Sequence, residues 1–270
     1  MRRYLAAGVL FAVAVGLLAL SGRGEAQGNQ WTTIKGRVVW GGTKIPEPKR
    51  ITVTVDKDHC LSANKTAAKD GTILDETLLV SPKTKGIKNV FVYILVDPDA
   101  KIPIHPKLAN FPKNVALDQP ACAFFPHALA LREGQTLVVK NTAPVQHNIR
   151  WIGDQVINQG GNVTIKQGDM AEVKDLKAQK LPLPLECNIH GWMKGRLLVV
   201  KHPYFAITDE DGNFEIKDAP VGKHRLMIYH ETIGYRVPGK DAKSGEEKTL
   251  AAPLTDLGEL KMGKDPPKDE

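Results

Sequence analysis

The chain has 270 residues, 42% of them apolar and 25% charged, and a formal net charge of +7. That balance excludes wholesale disorder and a multispanning membrane protein. Three cysteines are too few for a disulfide-dense miniature scaffold, and 24 glycines with 18 prolines suit many short strands better than long helices.

The first predicted element is an export signal over residues 1–26. Arg2 and Arg3 precede an apolar run from Leu5 to Leu20, and small residues follow at Gly24 and Ala26. A basic start, a short apolar stretch and a small-residue cleavage site are the parts of a secretory signal. The run is short for a bilayer span, so cleavage is expected to leave no membrane span, and the location is expected to be periplasmic or otherwise extracytoplasmic. An uncleaved anchor is the alternative. Without residues 1–26 the net charge is +5. Such modest basicity favours acidic partners at low salt, and it is too dispersed to argue for nucleic acid. Lys240–Lys248 alternates with acids and reads as a solvated loop.

Strands are predicted at Thr33–Trp40, Ile51–Val55, Asn89–Val96, Thr136–Lys140, Asn148–Ile152, Arg196–Lys201 and His224–Tyr229. Turn residues separate them, among them Gly41-Gly42, Asp97-Pro98, Gly160-Gly161 and Asp211-Gly212. This is an all-β pattern. Residues 27–84 read as an N-terminal β extension and 85–202 as the main body. Near 203 the texture changes to short strands with tight acidic turns, which sets a second unit at 203–262. Residues 263–270 are polar and Pro-rich and are expected to be disordered.

Most of the chemistry lies in Cys187-Asn188-Ile189-His190-Gly191-Trp192-Met193. A thiol, an imidazole and a thioether share seven residues, spaced C-x2-H-x2-M. Soft sulfur ligands with imidazole suit copper, and Cys with two His and a weak axial Met is the blue-copper set. The second His must come from elsewhere. His147, in Pro144-Val145-Gln146-His147-Asn148, lies between two predicted strands. The alternative is a buried Cys beside a surface His and a core Met.

The pairing of His147-Asn148 with this loop resembles a cupredoxin, and the tight loop is similar to that of amicyanin. Val138-Val139-Lys140-Asn141, a strand ending in Asn shortly before the His, fits the same pattern over roughly residues 85–200. The resemblance implies a Greek-key sandwich holding one type I copper. His147, Cys187 and His190 would form the trigonal set and Met193 the axial ligand. Asn148 would turn its backbone N–H toward the Cys187 sulfur, and His190 would be the edge through which electrons leave. Trp31–Lys85 has no counterpart in a minimal cupredoxin. Trp192 reads as ordinary packing or as a lid near His190.

An exported chain with three cysteines has one pair and one left over. With Cys187 as a ligand, Cys60 and Cys122 remain for a disulfide. The alternatives are two free buried thiols, or Cys187 paired with one of them, which would abolish the metal site. His59, His105, His127, His202, His224 and His230 lack partners at ligand spacing, although His224 and His230 could share one strand face.

Phe205–Ile216 contains Thr208-Asp209-Glu210-Asp211-Gly212-Asn213-Phe214, followed by Pro220-Val221-Gly222 and a strand. This resembles the carboxypeptidase regulatory-like domain, which implies a smaller transthyretin-like sandwich of the carbohydrate-binding-like fold. Asp211-Gly212 is expected to be a hairpin turn, not a calcium site. Ile34–Val39 is similar to the first strand of such modules, so the cupredoxin-like part could be an insertion with both chain ends completing one sandwich.

The leading expectation is a non-enzymatic exported electron carrier with copper as its cofactor and a redox protein, such as a c-type cytochrome or a dehydrogenase, as its partner. The competing expectation is a non-catalytic binding module, for a polysaccharide or surface protein, in which the copper site is vestigial or serves copper handling.

Overall fold

The computed structural model describes residues 30–237 and 242–265. The export signal expected over residues 1–26 lies outside them. Among the described residues no helix is long and apolar enough to cross a membrane. The described residues are all-β apart from the helix Lys57–Ala63 and two short 3-10 turns.

Two β-sandwiches stack on one another. In the site sandwich, a three-stranded sheet of Met170–Val173, Thr136–Lys140 and Asn114–Leu117 packs on a five-stranded sheet. That larger sheet runs Ala128–Arg132, Lys194–Val200, Leu183–Glu186, His147–Trp151, Gly161–Ile165. Leu137, Val139, Ile149, Leu185, Leu197 and Val199 fill the core between them. In the terminal sandwich, Trp31–Trp40 lies between Asn213–Pro220 and Leu254–Met262. It pairs antiparallel with the first and parallel with the second. The opposing sheet is built on Phe91–Leu95 and Gly222–His230. Ile34, Val38, Val92, Ile94, Phe214 and Ile228 fill this second core.

A third core joins the two. Phe91 and Tyr93 point away from the terminal core and meet Leu198 and Val200, whose neighbours Leu197 and Val199 point into the site core. Strands at this junction are buried on both faces and so read as continuous apolar runs.

The pairing corrects the expected boundaries. Phe91–Leu95 does not belong to a contiguous body at 85–202; it pairs with Phe205–Ile207 and Gly222–His230. The N-terminal extension is split as well. Trp31–Trp40 joins the terminal sandwich, while Val53, Cys60 and Ile73 enter the site core. Residues 203–262 therefore form a sandwich only with two strands from the N-terminal part. Local alternation says which face of a strand is buried but not which strand lies beside it.

Three smaller expectations also change. Glu246–Leu250, which overlaps the end of the stretch read as a solvated loop, is a strand against Gly222–His230. In the tail, the Asp265 carboxylate accepts from the backbone N–H of Thr43 at 2.9 Å and of Lys44 at 3.1 Å, which ties 263–265 to the end of Trp31–Trp40. Residues 266–270 lie outside the described residues. Asp211-Gly212 is a tight turn but not the expected hairpin: Phe205–Ile207 pairs with Phe91–Leu95 and Asn213–Pro220 with Trp31–Trp40, so the turn crosses from one sheet of the terminal sandwich to the other. Asp209 Oδ1 accepts from the N–H groups of Asp211 and Asn213, and Gly212 has φ +78°. A Cβ at Gly212 would lie 2.2 Å from the Val38 carbonyl oxygen, so the turn packs directly on backbone.

Candidate metal centre

His147 opens the strand His147–Trp151, pairing opposite Ile165. Buried Asn141 shapes the preceding turn. Its Nδ2 donates to the carbonyls of Val145 and Ile165 at 2.9 and 3.0 Å, and its Oδ1 accepts from Ala143 N–H at 3.2 Å. That explains why the run Val138–Asn141 ends where it does: the amide satisfies a buried bend that the ladder leaves open.

The other three candidates lie on the loop of one β-hairpin, between Leu183–Glu186 and Lys194–Val200, where Glu186 pairs with Lys194. Cys187 N–H donates to Met193 O at 3.2 Å, and Met193 N–H to His190 O at 2.8 Å. These bonds fold the loop on itself. Cys187, His190 and Met193 are all buried.

The donor atoms of His147, Cys187 and His190 lie within 4.8 Å of one another. Cys187 Sγ is 4.0 Å from His147 Nδ1 and 3.9 Å from His190 Nδ1. Metal–sulfur bonds of about 2.3 Å and metal–nitrogen bonds of about 2.0–2.1 Å, opened to a trigonal angle, span about 3.8 Å, so the spacing fits one ion. The imidazole rings are 4.5 Å apart, centroid to centroid. Among the described residues the buried His147 Nε2 has no hydrogen-bond partner, a costly arrangement. Burial, helped by the neighbouring His190, lowers the His147 pKa to about 4. Burial also lowers that of His190, against the opposing pull of Asp56. Burial thus favours the neutral form of both rings, the form that ligation requires.

Asn148 acts through its side chain, a correction to the expected backbone contact. Its Oδ1 accepts from Asn188 N–H at 2.7 Å and from the Cys187 thiol at 3.2 Å, and its Nδ2 donates to Asn162 Oδ1 at 2.7 Å. The backbone N–H that reaches the sulfur is that of His190, at 3.5 Å. The Asn188 donor and the Asn162 acceptor together fix which way the amide points.

His190 is not an exposed edge. It is fully buried, and its Nε2 is 2.9 Å from Asp56 Oδ2. Asp56 immediately precedes the helix Lys57–Ala63. A disulfide joins Cys60 of that helix to Cys122, leaving Cys187 free and buried. The bridge sulfurs fall within 4.8 Å of a His190 ring nitrogen. The segment without counterpart in a minimal cupredoxin therefore roofs the centre. Trp192 is half-buried, edge-on to His190 at 5.2 Å between centroids, and its Nε1 donates to Cys122 O at 3.0 Å.

Asp56 carries no motif that would single it out. The available signal is its spacing: Cys60 N–H bonds to Asp56 O, one helical turn back, so anchoring Cys60 also places Asp56. His127 has a structural role between the sandwiches, bonded through Nε2 to Glu231, which also meets Arg196 at 3.3 Å. His224 and His230 join no metal-ligating cluster among the described residues. His59 Nε2 lies 3.1 Å from Pro120 O, and His105 Nδ1 accepts from Lys107 N–H at 3.1 Å.

No family model matches the chain, and no curated protein does. Several solved structures align with part of it. A purple cupredoxin from Nitrosopumilus maritimus aligns over 31% of this chain and 97% of its own, at 21% identity and TM-score 0.27. An amicyanin variant in its oxidized state aligns over 32% and 82%, at 16% identity and TM-score 0.29. A copper-containing nitrite reductase from Thermus scotoductus aligns over 39% of this chain and 27% of its own, at 20% identity and TM-score 0.30. At these scores the likeness adds nothing to the site's own geometry.

Proposed function

We propose that the chain is an exported type I copper protein that carries electrons between extracytoplasmic redox partners and catalyses no reaction itself. The observation that carries this reading is the buried convergence of His147, Cys187 and His190, with Met193 on the same closed loop. Thiolate, two imidazoles and a thioether are the donor set that favours copper over hard cations.

Copper, when bound, supplies one-electron exchange between its cuprous and cupric states. His147, Cys187 and His190 would hold it, and Met193 would be the weak fourth donor. The hairpin loop, closed by the Cys187–Met193 and Met193–His190 backbone bonds, keeps the ligands in one arrangement through that exchange. The roof over His190 keeps water from the centre. With His190 covered, half-buried Trp192 is the aromatic ring leading outward from it. A c-type cytochrome or a dehydrogenase would be a suitable partner, and the terminal sandwich would position the carrier beside it or on a glycan surface without supplying a ligand.

The test is the visible spectrum of the mature protein loaded with Cu(II). An intense thiolate-to-copper band, blue, green or purple, is expected with one copper retained per chain, and Cys187→Ser should abolish it. A colourless wild-type protein that retains no stoichiometric copper overturns the proposal.

A further inference from the structure

We propose that Asp56 is the positioning residue of the metal centre: its carboxylate holds the Nε2 side of His190 so that Nδ1 is presented to the metal. The inference rests on the metal reading of the centre.

Position and geometry support it. Asp56 stands at the N-cap of the helix Lys57–Ala63, where an Asp ordinarily accepts from the first free N–H groups. Here the side chain makes no capping bond. Its Oδ2 instead lies 2.9 Å from His190 Nε2, across 134 positions of sequence. The Asp56 backbone is left-handed, with φ +48° and ψ +39°. A non-glycine residue there is unusual and is tolerated best by Asn and Asp. An unused capping position and an uncommon backbone conformation are thus both spent on one contact with a candidate ligand.

The helix alone could not hold Asp56 in place. It has seven residues, and Cys60 is its one buried side chain. The bridge to Cys122 fixes it, aided by His59 Nε2 near Pro120 O and by Asn64 Nδ2 donating to Ala121 O at 3.4 Å. All three anchors lie on 120–122, the segment whose Cys122 carbonyl also receives the Trp192 indole N–H. The disulfide and the carboxylate therefore work as one unit: the first locates the second.

The chemical consequence follows from the tautomer. A carboxylate at Nε2 favours the Nε2–H form and leaves the Nδ1 lone pair toward Cys187. It also makes the ring a stronger donor, and such outer partners of ligating histidines typically matter by about 10–100-fold in metal affinity. The negative charge favours the cupric over the cuprous ion. Loss of that charge is expected to weaken Cu(II) binding about tenfold more than Cu(I) binding, equivalent to a rise in midpoint potential of about 59 mV.

The experiment uses the mature chain with its disulfide intact, as wild type, Asp56→Asn and Asp56→Ala. Long-range proton–nitrogen correlation on the metal-free protein reads the His190 tautomer; copper titration and redox titration read the metal. Wild type is expected to show the Nε2–H form alone, Asp56→Ala a mixture of tautomers, and both variants a higher potential with weaker Cu(II) binding. Asp56→Asn is isosteric and decides the matter if Asp56→Ala does not fold. A coloured wild type with tautomer and potential unchanged in the variants overturns the role of Asp56 and leaves the metal reading standing. A wild type that takes up no copper overturns both.

Discussion

The Cys187 thiol donates to Asn148 Oδ1, and the same oxygen accepts from Asn188 N–H. This contact suits a protonated sulfur. As a thiolate the sulfur would face a carbonyl oxygen, and the compensation would come from His190 N–H, at 3.5 Å, and from the proposed metal. A loop tied at both ends can absorb that change without opening. Met193 stands apart from this network, buried in the site core with only its backbone bonded to the loop. Met193→Leu conserves volume and should cost under about 1.5 kcal/mol of stability. In the copper-loaded protein it is expected to keep most of the charge-transfer absorption and to raise the potential, because a weak donor that favours Cu(II) is lost. Absorption and redox titration check both; a lower potential would show that Met193 does not act as the axial donor.

Among the elements, the helix Lys57–Ala63 is the least self-sufficient. A two-turn helix is unstable alone, and one buried side chain offers little hydrophobic gain. Its place depends on a bridge across 62 positions of sequence, for which loop entropy gives about 4 kcal/mol. The double variant Cys60→Ser/Cys122→Ser is therefore expected to lose about 4 kcal/mol in urea unfolding. Non-reducing peptide mapping of the wild type should find the two peptides linked and Cys187 free in the metal-free form. A destabilisation of a few tenths of a kcal/mol would mean that the roof is held by its polar contacts instead. The hairpin loop Cys187–Met193 presents the opposite case: it is short, closed by its own backbone bonds and flanked by central strands, so it needs no remote tether.

On the scale of the whole molecule, the four larger sheets among the described residues and three cores stack in a row, and the outer sandwich is completed by strands from both ends of the described chain. Two buried histidines of the terminal sandwich set a pH limit on this assembly. His202 Nε2 bonds to Ile94 O at 2.9 Å, and burial lowers its pKa to about 4. Burial likewise takes His230 to about 4. Unfolded, each would titrate near 6.5. Between pH 6.5 and 4 the unfolded chain therefore binds more protons, and stability must fall as pH falls. These groups cost nothing above that window, and their penalty levels off below it. Within it each is expected to remove up to about 1.4 kcal/mol per pH unit. Urea midpoints between pH 7.5 and 4.5 check this, and a midpoint that stays flat across the window would refute it.

Strand positions and ligand candidates were readable locally because both are short-range patterns. Thr136–Lys140 is rich in β-branched residues, turns carry Gly and Asp, and Cys187, His190 and Met193 share one loop whose spacing survives any choice of sheet partner. Pairing Cys60 with Cys122 needed only the count of cysteines and a role for the third. The sheet neighbours of Phe91–Leu95 were not readable, whereas the likeness of Ile34–Val39 to the first strand of the C-terminal module did point Trp31–Trp40 to the terminal sandwich. A strand buried on both faces has no alternation to orient it, and the partners of Phe91–Leu95 lie more than 100 positions away. Nor was the burial of His190 beneath Asp56. Exposure belongs to the packed surface, and a lone aspartate before a seven-residue helix acquires its role only when the chain brings it to a ring 134 positions on.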